Sequence, residues 1–346
     1  MIPTRPDPDR NGNDAFRIGL LIPASGTAGI WGPSCRASAE LAVAEINRHW
    51  RSTAEIMFVD AGGTPSVVAD NTGHLVHTRQ IDAIVGMHTS DVRDAVAARV
   101  GGSIPYIYTP LHEGCAPDSV TCIGATPDRQ LLPALEWMLE RFRLRRWFFL
   151  GNDYVWPRTT HDIAGRRVAV DGARVVGNRY LPMNCPETRA SDYAEILDEI
   201  RAARPDALFL SLIGQDSVLF NRAFHKAGFA KSILRFSCAI EENILLAIGG
   251  GATEGIFVSA GYFSALNTKS NGAFRERYHT HFSDRAPVLN DLGQSVYEGM
   301  SCLARRFVKG ENVVASARLS NSDEPSGIYL AEAQGLGFDI VSHVAR

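Results

Sequence analysis

Short continuous apolar runs alternate with segments of helical periodicity along almost the whole chain. "FRIGLLIPA" (16–24) reads as a buried strand and "CRASAELAVAEINRHW" (35–50) as an amphipathic helix with Leu41, Ile46 and Trp50 available to its inner face. The alternation continues with "AEIMFVDAG" as strand, "VVADNTGHLVHT" as helix, "IDAIVGM" as strand, "DVRDAVAARV" as helix and "PYIYTP" as strand. "DRQLLPALEWMLERF" is then helical and "RRWFFLGND" extended. The second half repeats the rhythm in "RVVGNRYLPM", "YAEILDEIRAA", "DALFLSLIG", "SVLFNRAFHKAGF", "ILRFSCA" and "EGIFVSAGYF". Strands that are apolar throughout and spaced by helices predict parallel sheets covered on both faces. "GIYLAEAQGLGFDIV" near the end has the alternation of an antiparallel hairpin, with Gly335 and Gly337 in its turn.

At 346 residues the chain is long for one core and comfortable for two. The fold class predicted is α/β, with two Rossmann-like lobes of parallel sheet and a ligand in the cleft between them. The boundaries expected are a disordered polar amino terminus over 1–15, a first lobe from 16–125 plus 260–325, and a second from 126–259 plus 326–346. Hydrophobic content of 45% and charged content of 21% are those of a soluble globular protein. A net charge of -3 gives no general attraction to nucleic acid or anionic membrane, and no stretch approaches the ~20 apolar residues of a membrane span. "MIPTRPDPDRNGNDAF" has no apolar core of a secretory signal, so the expected location is cytoplasmic, or periplasmic if a leader has been removed. Six cysteines, at 35, 115, 122, 185, 238 and 302, show no CxxC or paired spacing and read as free thiols.

Catalytic and cofactor motifs are lacking. "PASGTAGIWGP" after the first strand does not match the dinucleotide spacing, and "IGGGATEG" (248–255) precedes a strand and reads as a turn. There is no G-x-S-x-G elbow and no Walker loop, and "GGS" at 101–103 is too short to argue for a serine–lysine amidase. "HLVH" (74–77) and "HTH" (279–281) lack a cysteine or carboxylate at ligand spacing and read as surface histidines. The expectation is a protein that is not an enzyme and carries no cofactor or metal; Cys238 with His88 is the only conceivable nucleophile–base pair.

The polar and aromatic groups gather instead where strands end, which is where open α/β sheets place ligands. His88, Thr89 and Ser90 follow "IDAIVGM", and Ser90 stands where it could cap the next helix. Thr109 and Pro110 follow "PYIY"; Tyr154 and Trp156 follow "WFFLGND", as two exposed aromatics before a helix with Pro157 in its first turn. Cys238 and Ala239 follow "LRFS". Four junctions from two lobes make a small-molecule site the natural reading.

These segments carry a resemblance. "FRIGLLIPASG", "ELAVAEIN", "IVGMHTSDVRDAV", "YTPLHEG", "GNDYVWPR", "EGIFVSAGYFSA" and "YLAEAQGLGFDI", spread over 16–345, resemble the type I periplasmic-binding-protein fold. Within it, "YTPLHEG" and "GNDYVWPR" are most similar to the cytoplasmic amide sensor of bacterial amidase operons and to short-chain amide and urea receptors. The resemblance implies that Ser90, Thr109, Pro110, Tyr154 and Trp156 line the ligand pocket, with His88 and Trp156 standing where the sensor has tyrosines. The region 308–326 reads as shortened against that pattern.

Two functions follow from the resemblance. One is a cytoplasmic sensor whose lobes close on a neutral amide or urea and are read by an antiterminator-type regulatory protein. The other is a solute receptor delivering amides, urea or branched-chain amino acids to an ABC permease. In either, direct nucleic-acid contact and membrane insertion are not expected, and assembly into a homo-oligomer is compatible with the sequence. Amino-acid receptors of this fold hold the ligand ammonium with a carboxylate where Cys238 and Ala239 stand here, with Glu241 and Glu242 a turn further on, which argues for a neutral ligand.

Overall fold

The computed structural model describes residues 15–49, 53–185, 189–308 and 327–345. The stretches read as a disordered amino terminus and as a shortened region lie, apart from Ala15 and Val308, outside them, as does Trp50.

The chain runs through β1 (Phe16–Ile22), α1 (Gly32–His49), β2 (Ala54–Asp60), α2 (Pro65–His77), β3 (Ala83–Gly86), α3 (Ser90–Val100), β4 (Tyr106–Tyr108) and β5 (Val120–Cys122). It continues through α4 (Pro127–Phe142), β6 (Arg146–Asn152), α5 (Val155–Val170), β7 (Arg174–Leu181), α6 (Arg189–Ala203), β8 (Ala207–Ser211), α7 (Gly214–Lys226), β9 (Leu234–Ser237), α8 (Glu242–Ile248) and β10 (Ile256–Ala260). Helices α9 (Lys269–Phe282) and α10 (Asp291–Val308) follow, then the hairpin β11 (Ile328–Gln334) and β12 (Gly337–Ala345).

The described residues form two compact units, one drawn from 15–124 and 268–308 and the other from 125–267 and 327–345. Residues 260–267, placed by sequence with the first lobe, go with the second. There Glu242 Oε1 accepts the Ser264 N–H at 2.6 Å, and Phe263 meets Phe338 edge-on at 4.9 Å.

In the first unit five parallel strands lie in the order β2-β1-β3-β4-β5. The pleat sends alternate residues to opposite faces. Leu21, Ile84, Tyr106 and Tyr108 join Val68, Val92 and Val96 from α2 and α3 in one core. Val85 and Ile107 face the other way, toward α10, where Gly299 allows the close approach: a Cβ there would fall 2.5 Å from the Thr109 methyl and 3.3 Å from Val85 Cγ1.

The second unit repeats that order as β7-β6-β8-β9-β10, all parallel, and adds β11 and β12 antiparallel beyond β10. The run "WFFL" splits by the same pleat. Phe148 and Leu150 pack with Leu208, Leu210, Ile196 and Phe220 under α6 and α7. Phe149 and Phe209 turn to the opposite face and meet the His161 ring of α5, with centroids 5.2 and 5.3 Å away. Each such side chain contributes on the order of 1.5–3 kcal/mol by burial. The hairpin turns at Gly335, whose φ of 61° suits a residue without a Cβ.

Candidate functional site

In an open sheet of this order the chain's direction of winding reverses once, and the two strands flanking that point leave a crevice at their carboxyl ends. The reversal falls between β1 and β3 in the first unit and between β6 and β8 in the second. His88 and Ser90 sit at the first, and Tyr154 and Trp156 at the second.

In the first unit Ser90 is the opening residue of α3, and Thr89, in extended backbone, is the cap residue without a side-chain capping bond. The capping role anticipated for Ser90 is therefore not the one it plays. Its Oγ donates to Glu113 Oε2 at 2.8 Å, and Glu113 Oε1 is bound by the Arg93 guanidinium, with both side chains at most 2% exposed. Arg93 also holds Asp94 Oδ1 at 2.8 Å and lies over the Tyr108 ring at 5.2 Å. The Tyr108 hydroxyl in turn donates to the His88 carbonyl at 2.7 Å.

His88 is buried, and Gly86 makes room for its ring: a Cβ on Gly86 would fall 2.5 Å from His88 Nε2. Its Nδ1 lies 3.1 Å from the Thr89 carbonyl, which can only accept, so the proton sits on Nδ1 and Nε2 accepts from the Tyr106 hydroxyl at 2.8 Å. Burial pushes the imidazole down to about 4, with Arg93 adding to the effect. Both ring nitrogens serve protein groups, so His88 supports the strand ends rather than presenting a polar atom. Thr109 is fully buried, with its N–H on the Gly86 carbonyl at 2.9 Å and its hydroxyl 3.2 Å from Ser295 Oγ. Pro110 beside it is buried, its carbonyl hard against Gly124.

In the second unit Tyr154 stands in extended backbone before α5 and is half-buried, while Trp156, one residue into the helix, is only 3% exposed. The reading of two exposed aromatics holds in part for Tyr154 and fails for Trp156. Only Asp153 and Tyr154 separate the end of the strand at Asn152 from the helix, so Trp156 falls on its inner face, together with Thr160 and Ala164. The rings remain neighbours, with centroids 6.4 Å apart and planes at 31°.

The loop is anchored by Asn152, whose Oδ1 accepts the Ile213 N–H at 2.9 Å and whose Nδ2 donates to Asp216 Oδ2 at 2.6 Å. Asp216 accepts from Arg189 through Nε at 2.6 Å and a terminal nitrogen at 2.9 Å, and from the Tyr193 hydroxyl at 3.3 Å. Cys238 and Ala239 are buried at the end of β9, two strand spacings (about 10 Å) from β6. Ala239 N–H is held by Ser237 Oγ at 3.0 Å, and burial raises the Cys238 thiol, which makes it a poor nucleophile. Glu113, Asp216 and Arg189 were not singled out in the sequence; an acid closing the apolar loop "YTPLHEG" was the one signal for Glu113.

No disulfide joins the six cysteines, and among the described residues no cluster of His, Cys, Asp or Glu could hold a metal. Among them, too, no helix is long and apolar enough to cross a membrane.

A family model described as periplasmic binding protein matches residues 15–317. The chain belongs to the periplasmic binding protein family. Solved structures agree in fold. A solute-binding protein of an ABC transporter from R. palustris, solved with benzoate, is 20% identical with a TM-score of 0.77, covering 96% of this chain and 97% of its own. One from Rhodopseudomonas palustris BisB5, in complex with 3,4-dihydroxybenzoic acid, is 17% identical with a TM-score of 0.79 over 96% and 99%. An ABC transporter substrate-binding protein from Sphaerobacter thermophilus is 18% identical with a TM-score of 0.75 over 96% and 98%. At such identities the likeness is one of fold. The match is to the periplasmic binding protein family at large and does not single out the amide-sensor branch.

Proposed function

We propose that this periplasmic binding protein is the solute receptor of an ABC transporter, working in the periplasm and delivering a small, planar, uncharged amide or urea to a permease. Family membership favours the transport role over a cytoplasmic sensor read by an antiterminator. The observation that carries the ligand class is the end of β9. Cys238 and Ala239 offer no charge there; of the two acids that follow at the start of α8, Glu241 and Glu242, both are buried and Glu242 accepts the Ser264 N–H. A zwitterionic amino acid would bury its ammonium there at a cost of several kcal/mol. The groups proposed to meet the ligand are Ser90, Thr109 and Pro110 from the first unit, and Tyr154, Trp156, Cys238 and Ala239 from the second. Aromatic walls of this kind exclude water and lose little conformational freedom on binding.

A second reading, an aromatic carboxylate, is favoured by the benzoates in similar structures. Thermal-shift and calorimetric titration with acetamide, benzamide, urea, benzoate, 4-hydroxybenzoate and leucine separates the readings. A ligand present at ~100 times its Kd should add ~2.7 kcal/mol to stability. The proposal expects an amide or urea to do so and leucine not to. Micromolar binding of leucine alone, or of the benzoates alone, overturns the ligand class, and a flat response to every compound overturns the receptor role.

A further inference from the structure

The buried triad Ser90–Glu113–Arg93 settles which way the Ser90 hydroxyl points its proton. A serine has one proton to give and two lone pairs to offer. The Glu113 side chain is ion-paired with Arg93 and accepts the Ser90 O–H at 2.8 Å. The Tyr108 hydroxyl is committed in the same way to the His88 carbonyl. What these oxygens have left at the start of α3 is acceptor capacity. The neighbouring charges agree: Asp91, Asp94 and Glu113 give three carboxylates against the one guanidinium of Arg93, while His88 is held neutral by its two partners. Asp91 Oδ1 is itself buried with no hydrogen-bond partner among the described residues. The backbone N–H groups of the first helical turn are the complementary donors.

We infer that Glu113 is a specificity-determining residue: by accepting the Ser90 O–H it leaves Ser90 only acceptor capacity toward a ligand, and so selects ligands that present an N–H there over carboxylates. The inference rests on the solute-receptor reading and adds to it a residue that acts on the ligand through another. A primary amide or urea satisfies both halves of this edge, its carbonyl on the helix N–H groups and its N–H on Ser90. A carboxylate of the same shape has no proton to give, sets a lone pair against a lone pair, and brings a charge beside Glu113 and Asp91.

The test is calorimetry with isosteric pairs, benzamide against benzoate and acetamide against acetate, with urea as a fifth probe, on the wild-type chain and on Glu113→Gln. The introduced amide can donate to Ser90 and release its proton toward the ligand. Wild type is expected to favour the amide of a pair by at least 30-fold. In Glu113→Gln that ratio should shrink by at least 10-fold, with the acid gaining affinity in absolute terms. A role limited to stability would weaken both members alike and leave the ratio in place, which would overturn the inference. So would an acid that binds wild type as tightly as its amide. Should Glu113→Gln not fold, Ser90→Ala carries the test: the amide is expected to lose about 10-fold and the acid nothing, and equal losses would refute the assignment. Binding of an acid with the wrong polarity defeats the role of Glu113 alone. Silence of all five probes defeats the receptor reading, and this inference with it.

Discussion

Replacing Asp216 by alanine should unsettle the second unit more than any surface change. Asp216 is the common acceptor for Asn152, Arg189 and Tyr193, and the side chains of Asp216 and Arg189 are each only 5% exposed. Removing the carboxylate leaves the Arg189 guanidinium buried, with Asp192 at 3.5 Å as a remaining, partly solvated counter-charge. Breaking one side of a buried pair costs about 3–5 kcal/mol, most of it the penalty of the charge left behind. Arg189→Met should cost a similar amount, for the opposite charge. The double variant strands neither group, so its cost should fall short of the sum by at least ~2 kcal/mol. Urea unfolding followed by tryptophan fluorescence reads the right unit, because Trp137, Trp147 and Trp156 all lie in it. A loss below ~1 kcal/mol for Asp216→Ala, or strict additivity in the double variant, would refute the reasoning.

Acid should weaken the fold through two histidines. Burial holds His88 and His161 down to about 4, against 6.5 for the free side chain, so as pH falls the unfolded chain takes up protons first. Their contribution is complete above about 6.5, is lost between there and 4, and changes no further below; each displacement corresponds to about 3 kcal/mol. Urea midpoints at pH 7 and pH 4.5 for wild type, His88→Gln and His161→Gln check this, and equal pH sensitivity in all three would count against it. Gly124→Ala should disturb the Pro110 loop, since the new Cβ would lie 1.9 Å from the Pro110 carbonyl oxygen. A stability loss of about 1–3 kcal/mol together with weaker amide binding is expected, and a variant identical to wild type in both would show that the loop yields freely. Tyr154→Ala should weaken benzamide binding by at least ~10-fold in calorimetry, as loss of an aromatic anchor does, and an unchanged Kd would remove Tyr154 from the site.

How much of this was legible in the sequence depended on how far apart the partners stand. Strands such as "FRIGLLI" and "ALFLS" announce themselves because all positions but one in each, Arg17 and Ser211, are apolar or glycine, and the closing hairpin because its alternation is punctuated by Gly335. β5 passed unread: it is three residues long, "VTC", and has no apolar run to mark it. At the site, the sequence located the strand-end residues but not their partners. Ser90 reads as a helix cap because the group that claims its hydroxyl, Glu113, lies 23 residues away. Asp216 and Arg189 are 27 apart and join only when β7, α6 and β8 are assembled. Trp156 was misjudged for a local reason, since α5 starts at Val155, two residues too early to leave that ring on an open loop.

The order in which the chain is made bears on the first unit in particular. Its five strands are complete at Cys122, yet the helix that covers Val85 and Ile107 begins at Asp291. Asn290 reaches back 256 positions to Ser34, and Ser295 back 186 to Thr109. At ~5–20 residues per second, roughly 10–30 s of translation separate the sheet from its cover, and the entire middle of the second unit is synthesised in that interval. The face meant for α10 is bare throughout, and closing it requires contacts of very long sequence separation, which form slowly. A chain halted near residue 267 would therefore lose more than a tail. It would leave the earliest-made sheet without α10 on the face of Val85 and Ile107, and Thr109 without its Ser295 partner.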